Sequence, residues 1–361
     1  MRIKSRAACA LVNGVESELG IALLIVLFVV ALASVVVLDL TFSTFIQSRT
    51  LGMIERQLQA EYILKSLVNF SAAVIAQDSD PKTDSFKEPW GIFRDCVQVP
   101  RSIAVAFGIV DPAVKIYLEI SPDNMKLPLH YITPVRPGSG SAISWHEPLA
   151  RLFEDLGFDK LSKTRSETER NNGDGYDSKQ LVSNLYDYLD SDFEPNSPGP
   201  GFPKGIELPL EEGVEDAAAH APHKRITRVE QLAEVPGFTA KHIQLAKPYL
   251  TVNGDGQINV NVASKRILGT LPQLADYAQR IVEIRDGEDG PFNEVSDLSR
   301  ADVPIEAQNA ARPFLRPTSN SFEIIAKVEY GNQASFFASA QLARFGSALN
   351  ETPAIKSLVL Y

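Results

Sequence analysis

Leu19-Gly20-Ile21-Ala22-Leu23-Leu24-Ile25-Val26-Leu27-Phe28-Val29-Val30-Ala31-Leu32-Ala33-Ser34-Val35-Val36-Val37-Leu38 carries no charged residue. Its 20 residues, at about 1.5 Å of helical rise each, match a hydrocarbon core roughly 30 Å thick. A buried core helix of this length would keep some polar face, and a cleaved secretory signal has an apolar core of only about 7–15 residues before an Ala-x-Ala site. Neither pattern is present, so the run reads as a membrane anchor. Arg2, Lys4 and Arg6 stand before it. The positive-inside bias then keeps the N-terminus cytoplasmic and sends the rest of the chain across the membrane.

The helical pattern continues past the apolar run. Residues 39–76 contain no Pro and one Gly, Gly52. Phe42, Phe45, Ile46, Met53, Ile54, Leu58, Tyr62, Leu64, Leu67, Val68 and Ala72 recur at amphipathic spacing. One helix over 21–76 would be about 80 Å long. Its first part, 21–38, would lie in lipid, and its second would lay an apolar stripe on a folded domain. That is the stem of a pilin.

The rest of the chain is of ordinary globular make-up. Of 361 residues, 44% are hydrophobic and 22% charged, enough for two or three cores. A formal net charge of −10 gives no global field to draw in nucleic acid. Cys9 and Cys96 exclude a disulfide framework and a thiolate-rich zinc site. The histidines show no HExxH spacing, no Ser lies in a Gly-x-Ser-x-Gly context, and no enzyme is expected.

Two regions of alternation bracket a helical middle. Val114-Lys115-Ile116-Tyr117-Leu118-Glu119-Ile120 reads as a strand. Near the end, Phe322, Ile324, Ala326, Val328 and Tyr330 alternate, Gly331-Asn332 turns, and Phe336, Ala338, Ala340 and Leu342 alternate again. The spacing predicts helices over 147–156, 178–189, 228–233, 240–248, 263–271, 274–285 and 295–299, with loops at 134–141 and 196–205. The fold class is therefore α+β, with a long N-terminal helix packed on a small antiparallel sheet and a large helical insertion. The expected division is a leader at 1–20, the helix at 21–76, a pilin-like part at 77–144, the insertion at 145–315, the hairpin at 316–345 and a tail at 346–361.

Three motifs stand out in the insertion. Val235-Pro236-Gly237-Phe238 looks like a helix-hairpin-helix turn, and residues 281–285 followed by 290–298 resemble a second such unit. DNA-binding versions hold a phosphate on the turn amides beside basic side chains. Here Glu230, Glu234, Glu283, Asp286, Glu288, Asp289 and Glu294 surround the turns, which favours a structural use. In Gln257-Ile258-Asn259-Val260-Asn261-Val262-Ala263, Asn261 reads as the cap of a helix beginning at Ala263. Finally, Asp187, Asp190, Asp192 and Glu194, with Glu215 and Asp216 after the Pro-Gly loop, form an acidic group. Such a group is either a solvated helix end or the oxygen-rich ligand set of a calcium ion.

Several of these features together resemble the GspK family, the minor pseudopilin K of type II secretion systems. The resemblance covers about 19–65 and most of 178–345. Gly20 before Ile21 is similar to a prepilin cleavage site, with Ile25 at the fifth mature position where most pilin relatives carry Glu and pseudopilin K does not. Glu16 and Glu18 depart from the basic residues common before the cut. Residues 258–263 resemble the family's Ile-Asn-Val-Asn-Thr-Ala segment. Tyr188-Leu189-Asp190-Ser191-Asp192 and Gly213-Val214-Glu215-Asp216 resemble the region where the family binds Ca2+. The resemblance implies a structural subunit at the pseudopilus tip, partnered by minor pseudopilins I and J and major pseudopilin G. It also implies a prepilin peptidase that cuts at Gly20 and methylates Ile21, and an inner-membrane anchor with a periplasmic domain. The alternative is a membrane-anchored DNA-uptake or pilus-tip protein using the hairpin units; no nucleic acid is expected to bind.

Overall fold

The computed structural model describes residues 8–77, 80, 82–132, 144–163, 176–190, 194–206, 226–331, 334–344 and 352–361. They form two compact units, 1–62 and 63–361. The first unit is helical. Helix α1 runs over Ala8–Ala76, so the helix passes through Gly20 and does not begin at Ile21. Among the described residues it is the one helix long and apolar enough to cross a membrane. Leu24, Ile25, Phe28 and Leu32 all stand exposed along it. Ser34, Thr41, Thr44 and Thr50 each donate a hydroxyl to the carbonyl four residues back, at 2.7–2.9 Å. That bond hides a polar group which an apolar surrounding would otherwise penalise.

The second unit opens with the stripe at the C-terminal end of α1. Leu64, Leu67, Val68 and Ile75 are buried, at the helical 3-4-7 spacing. They pack with the inner face of a five-stranded antiparallel sheet. Each such side chain contributes about 1.5–3 kcal/mol by leaving water. The chain reaches the sheet through β1 at Val97–Gln98, α2 at Arg101–Ala106 and β2 at Val114–Pro122. It then leaves the sheet for nearly two hundred residues. It returns as β7 at Ser321–Tyr330, β8 at Ala334–Ala343 and β9 at Ala354–Leu360. The order is β1-β2-β7-β8-β9. Ile116, Leu118 and Ile120 stand opposite Val328, Ala326 and Ile324, all buried, so the alternation read in the sequence sets the register. The expected tail at 346–361 holds the edge strand β9, whose Leu358 and Leu360 join the sheet core.

Between β2 and β7 lie β3 (Leu127–Pro128), α3 (His146–Asp155), α4 (Phe158–Lys163), α5 (Ser178–Leu189), α6 (Ala240–Ala246), β4 (Leu250–Thr251), β5 (Ile258–Asn259), α7 (Lys265–Thr270), α8 (Ala278–Asp286), α9 (Ile305–Ala311) and β6 (Leu315–Arg316). The expected helices at 228–233 and 295–299 are tight 3-10 turns, Val229–Glu234 and Val295–Ala301. These elements close around their own core, which includes Trp145, Phe153, Phe158, Leu185, Ile258 and Phe292. The boundary expected at 144/145 moves back. Leu127, Leu129 and Ile132 belong to the helical core, because β3 pairs in parallel with β4. In the other direction Val262, from the insertion, packs into the sheet core.

A buried polar seam joins insertion and sheet. Asp123, at the end of β2, accepts from Thr251 Oγ1 at 2.9 Å, from Ser321 Oγ at 2.7 Å and from Gln341 Nε2. Its neighbour Lys126 pairs with Glu323 at 2.8 Å. Burial pushes the Asp123 carboxyl above its ordinary value of 3.8, against the pull of Lys126 and the two hydroxyls. The folded form therefore binds this proton more tightly than the unfolded chain. The resulting stabilisation is complete below pH 3.8 and is lost as pH rises through the raised value. Urea unfolding across this range should show the wild type losing stability relative to Asp123→Asn as pH rises. Parallel curves for the two proteins would contradict the assignment.

Candidate functional site

The acidic end of α5 is the site the sequence singles out. Asp177 caps the helix by accepting from Gln180 N at 2.8 Å, and Ser178 is tied to Asp159 by two bonds at 2.8 and 2.6 Å. Asp187, nearly three turns on from Asp177, is fully buried. Its Oδ1 accepts from Asn196 N at 3.0 Å, and Asn196 O accepts from Gly205 N at 2.9 Å. A Cβ on residue 205 would lie 2.4 Å from both Asp187 Oδ2 and Ser183 O, so only glycine brings the chain this close. Ser183 Oγ donates to Pro203 O at 2.8 Å, and Gln180 Nε2 to Lys204 O at 2.7 Å. Asp187 thus first serves to bind the Pro-Gly loop to α5.

Of the other five carboxylates, Asp190 is half-buried and Glu194 exposed. Asp192, Glu215 and Asp216 lie outside the described residues. Among the described residues no three His, Cys, Asp or Glu side chains are arranged to hold a metal ion. Asp187 and Asp190 are hard oxygen donors one helical turn apart, the donor type that suits calcium and not a thiophilic metal. The described part of the site therefore fits such an ion in kind.

The first hairpin turn is filled from within. In Val235-Pro236-Gly237-Phe238, Gly237 has a φ of +92°, and a Cβ there would meet the Tyr176 ring at 2.3 Å. Pro236 O accepts from Asn184 Nδ2 at 2.9 Å. Glu234 accepts from Tyr188 OH at 2.7 Å, and burial together with that bond pushes the Tyr188 phenol up to about 12. The turn packs on α5, where a DNA-binding hairpin would offer its amides to a phosphate.

The second unit lies later than expected. Val295–Ala301, Asp302 in the left-handed region (φ +58°) and α9 repeat the first hairpin. Val229 and Leu232 correspond to Val295 and Leu298, and Lys247-Pro248-Tyr249-Leu250 to Arg312-Pro313-Phe314-Leu315. Each copy ends in a two-residue strand that pairs in parallel, β4 on β3 and β6 on β5. The signal was present as the repeated basic-Pro-aromatic-Leu tetrad.

Asn261 does not cap a helix. Ser264 caps α7, accepting from Ile267 N at 3.2 Å. The Asn261 amide is buried. It accepts from Phe292 N and donates to Phe292 O, both at 2.9 Å, and also donates to Pro317 O. Asn259 accepts from Asn261 N and donates to Asp84 O and Ser319 Oγ, each at 2.9 Å. The paired asparagines are bolts between the insertion and the strands that carry it.

No protein-family model and no curated protein matches this chain. Among solved structures, it matches a chain in the crystal structure of the GspK-GspI-GspJ complex from the enterotoxigenic Escherichia coli Type 2 Secretion System. The TM-score is 0.58 at 14% identity, over 87% of this chain and 99% of that one. This chain has that fold. The long helix, the antiparallel sheet and the helical insertion are a shared pilin-like α+β plan.

Bolt and cap predict different losses. Asn261→Ala leaves the Phe292 amide buried without its acceptor and should cost about 2–3 kcal/mol, whereas Ser264→Ala should cost about 1 kcal/mol. Chemical denaturation of both variants measures the difference. A larger loss at Ser264 would restore the capping role to the centre.

Proposed function

We propose that this protein is a minor pseudopilin K of a type II secretion system. It is a structural subunit at the pseudopilus tip, where it starts or caps assembly for export of folded periplasmic proteins across the outer membrane. The observation that carries this reading is the fold likeness over 99% of a chain from the GspK-GspI-GspJ complex. The apolar run supports it, since Ile25 is uncharged at the fifth position after Gly20. In a filament, a carboxylate there would meet the N-terminal ammonium of the subunit above, and an unpaired carboxylate in hydrocarbon costs several kcal/mol. A subunit with nothing above it is better served by isoleucine.

In this reading the chain is anchored in the inner membrane with its large domain in the periplasm. A prepilin peptidase cuts after Gly20 and methylates Ile21. Minor pseudopilins I and J are its tip partners, and major pseudopilin G forms the shaft below. We assign Asp187, Asp190, Asp192, Glu194, Glu215 and Asp216 to calcium; the bound cation would offset their mutual repulsion. Each carboxylate oxygen has two lone pairs, so Asp187 can keep Asn196 while contributing to the ion. No catalytic role and no nucleic-acid partner belong to this reading.

Co-expression of the full chain with a prepilin peptidase and pseudopilins I and J tests it. Intact mass should show loss of residues 1–20, and the three pseudopilins should purify together. An uncut chain purifying alone, or one repeated along the shaft in crosslinking, would overturn the proposal. Calcium at one hundred times its Kd should add about 2.7 kcal/mol of stability, and Asp190→Ala with Asp192→Ala should abolish that response. Identical melting curves with calcium and with chelator would overturn the calcium assignment.

A further inference from the structure

Residues 196–205 lie across α5 from Lys179 to Asp187, and their other side rests on α3. His146 is the first residue of α3, with its Nδ1 bonded to Ser144 Oγ. Its ring meets Phe202 edge to face, with centroids 4.9 Å apart. A Cβ on Gly199 would lie 2.8 Å from His146 Nε2, so the loop backbone seats directly on the imidazole. Lys179 Nζ lies over the Phe202 ring, 5.5 Å from its centroid, and donates to Gly201 O at 3.3 Å. The segment is held like a strap, with Asp187 at one end and His146 under its middle.

We propose that residues 196–205 are a strap over α5 that protonation of His146 releases. A proton on the ring would place a second cation against Phe202, beside Lys179. It would also place that charge at the N-terminus of α3, where the helix dipole opposes it. Glu147, next along α3, favours the proton but is paired with Arg151 at 3.2 Å, and Lys179 on α5 lies against the same Phe202 ring. Burial outweighs Glu147 and holds His146 below its ordinary value of 6.5, so the neutral ring is the form that fits. Opening the strap would break the Asn196 bond to Asp187 and the Gly205 bond to Asn196, exposing the buried face of α5.

Amide hydrogen exchange on the full-length protein at about pH 7.5 and about pH 5, corrected for intrinsic rates, reads this directly. The Asn196, Phe202 and Gly205 amides should lose about tenfold or more of their protection at the lower pH, while β7 and β8 keep theirs. His146→Phe retains an aromatic ring against Phe202 and cannot titrate, so its strap should stay protected at both pH values. His146→Asn, which is smaller and also untitratable, gives the same reading should the phenylalanine disturb the fold. Equal protection of the wild type at both pH values would overturn the proposal. So would a loss in the variants that matches the wild type.

Discussion

The carboxylate of Asp84 is fully buried, and Arg344 meets its Oδ1 at 3.0 Å. Three parts of the second unit are tied to this pair. Arg344 Nη2 also donates to Ile75 O at the end of α1, at 3.4 Å. Asp84 Oδ2 accepts from Ser319 N at 2.5 Å, just before β7. The Asp84 carbonyl accepts from Asn259 Nδ2, and its amide donates to Pro317 O at 2.9 Å. The helix, the sheet and the insertion therefore share one buried ion pair. Such a pair adds little net stability compared with well-packed apolar side chains, but removing one partner strands a charge. Its value lies in geometry, since it permits one arrangement of the parts and penalises the others.

The sequence made the sheet legible because alternation over Val114–Pro122 and Ser321–Tyr330 has one physical meaning, a strand with one buried face. It made α5 legible because apolar spacing fills its length, while its cap Asp177 came only with the structure. β9 was hidden because an edge strand with most side chains exposed has no strong alternation to read. Asn261 was misread for another reason. An asparagine before a helix looks like a cap, and its partners Phe292 and Pro317 are distant in sequence. Asp84, Asp123 and Arg344 could not be found at all, since a buried charge and a surface charge are the same letter.

The same constraint shapes the candidate site. The inserted body keeps one position on the sheet only if polar contacts fix it there. The seam provides those contacts through Asp123 with Thr251 and Ser321, and through Asn259 with Asp84. Away from the seam the insertion holds two copies of one hairpin unit beside α3, α4, α5, α7 and α8, and the first hairpin turn packs on α5. The acidic end of α5 carries the loop laid over it, through Asp187 and Asn196.

A double-mutant cycle at Asp84 and Arg344 tests the dependence of the whole arrangement on this pair most directly. In chemical denaturation of the full-length protein, Arg344→Met should cost about 3–5 kcal/mol by leaving Asp84 buried and charged. Adding Asp84→Asn should recover much of that loss, because the stranded charge is gone while an acceptor for Ser319 remains. A loss under about 0.5 kcal/mol for Arg344→Met, or simple additivity of the two substitutions, would contradict the account.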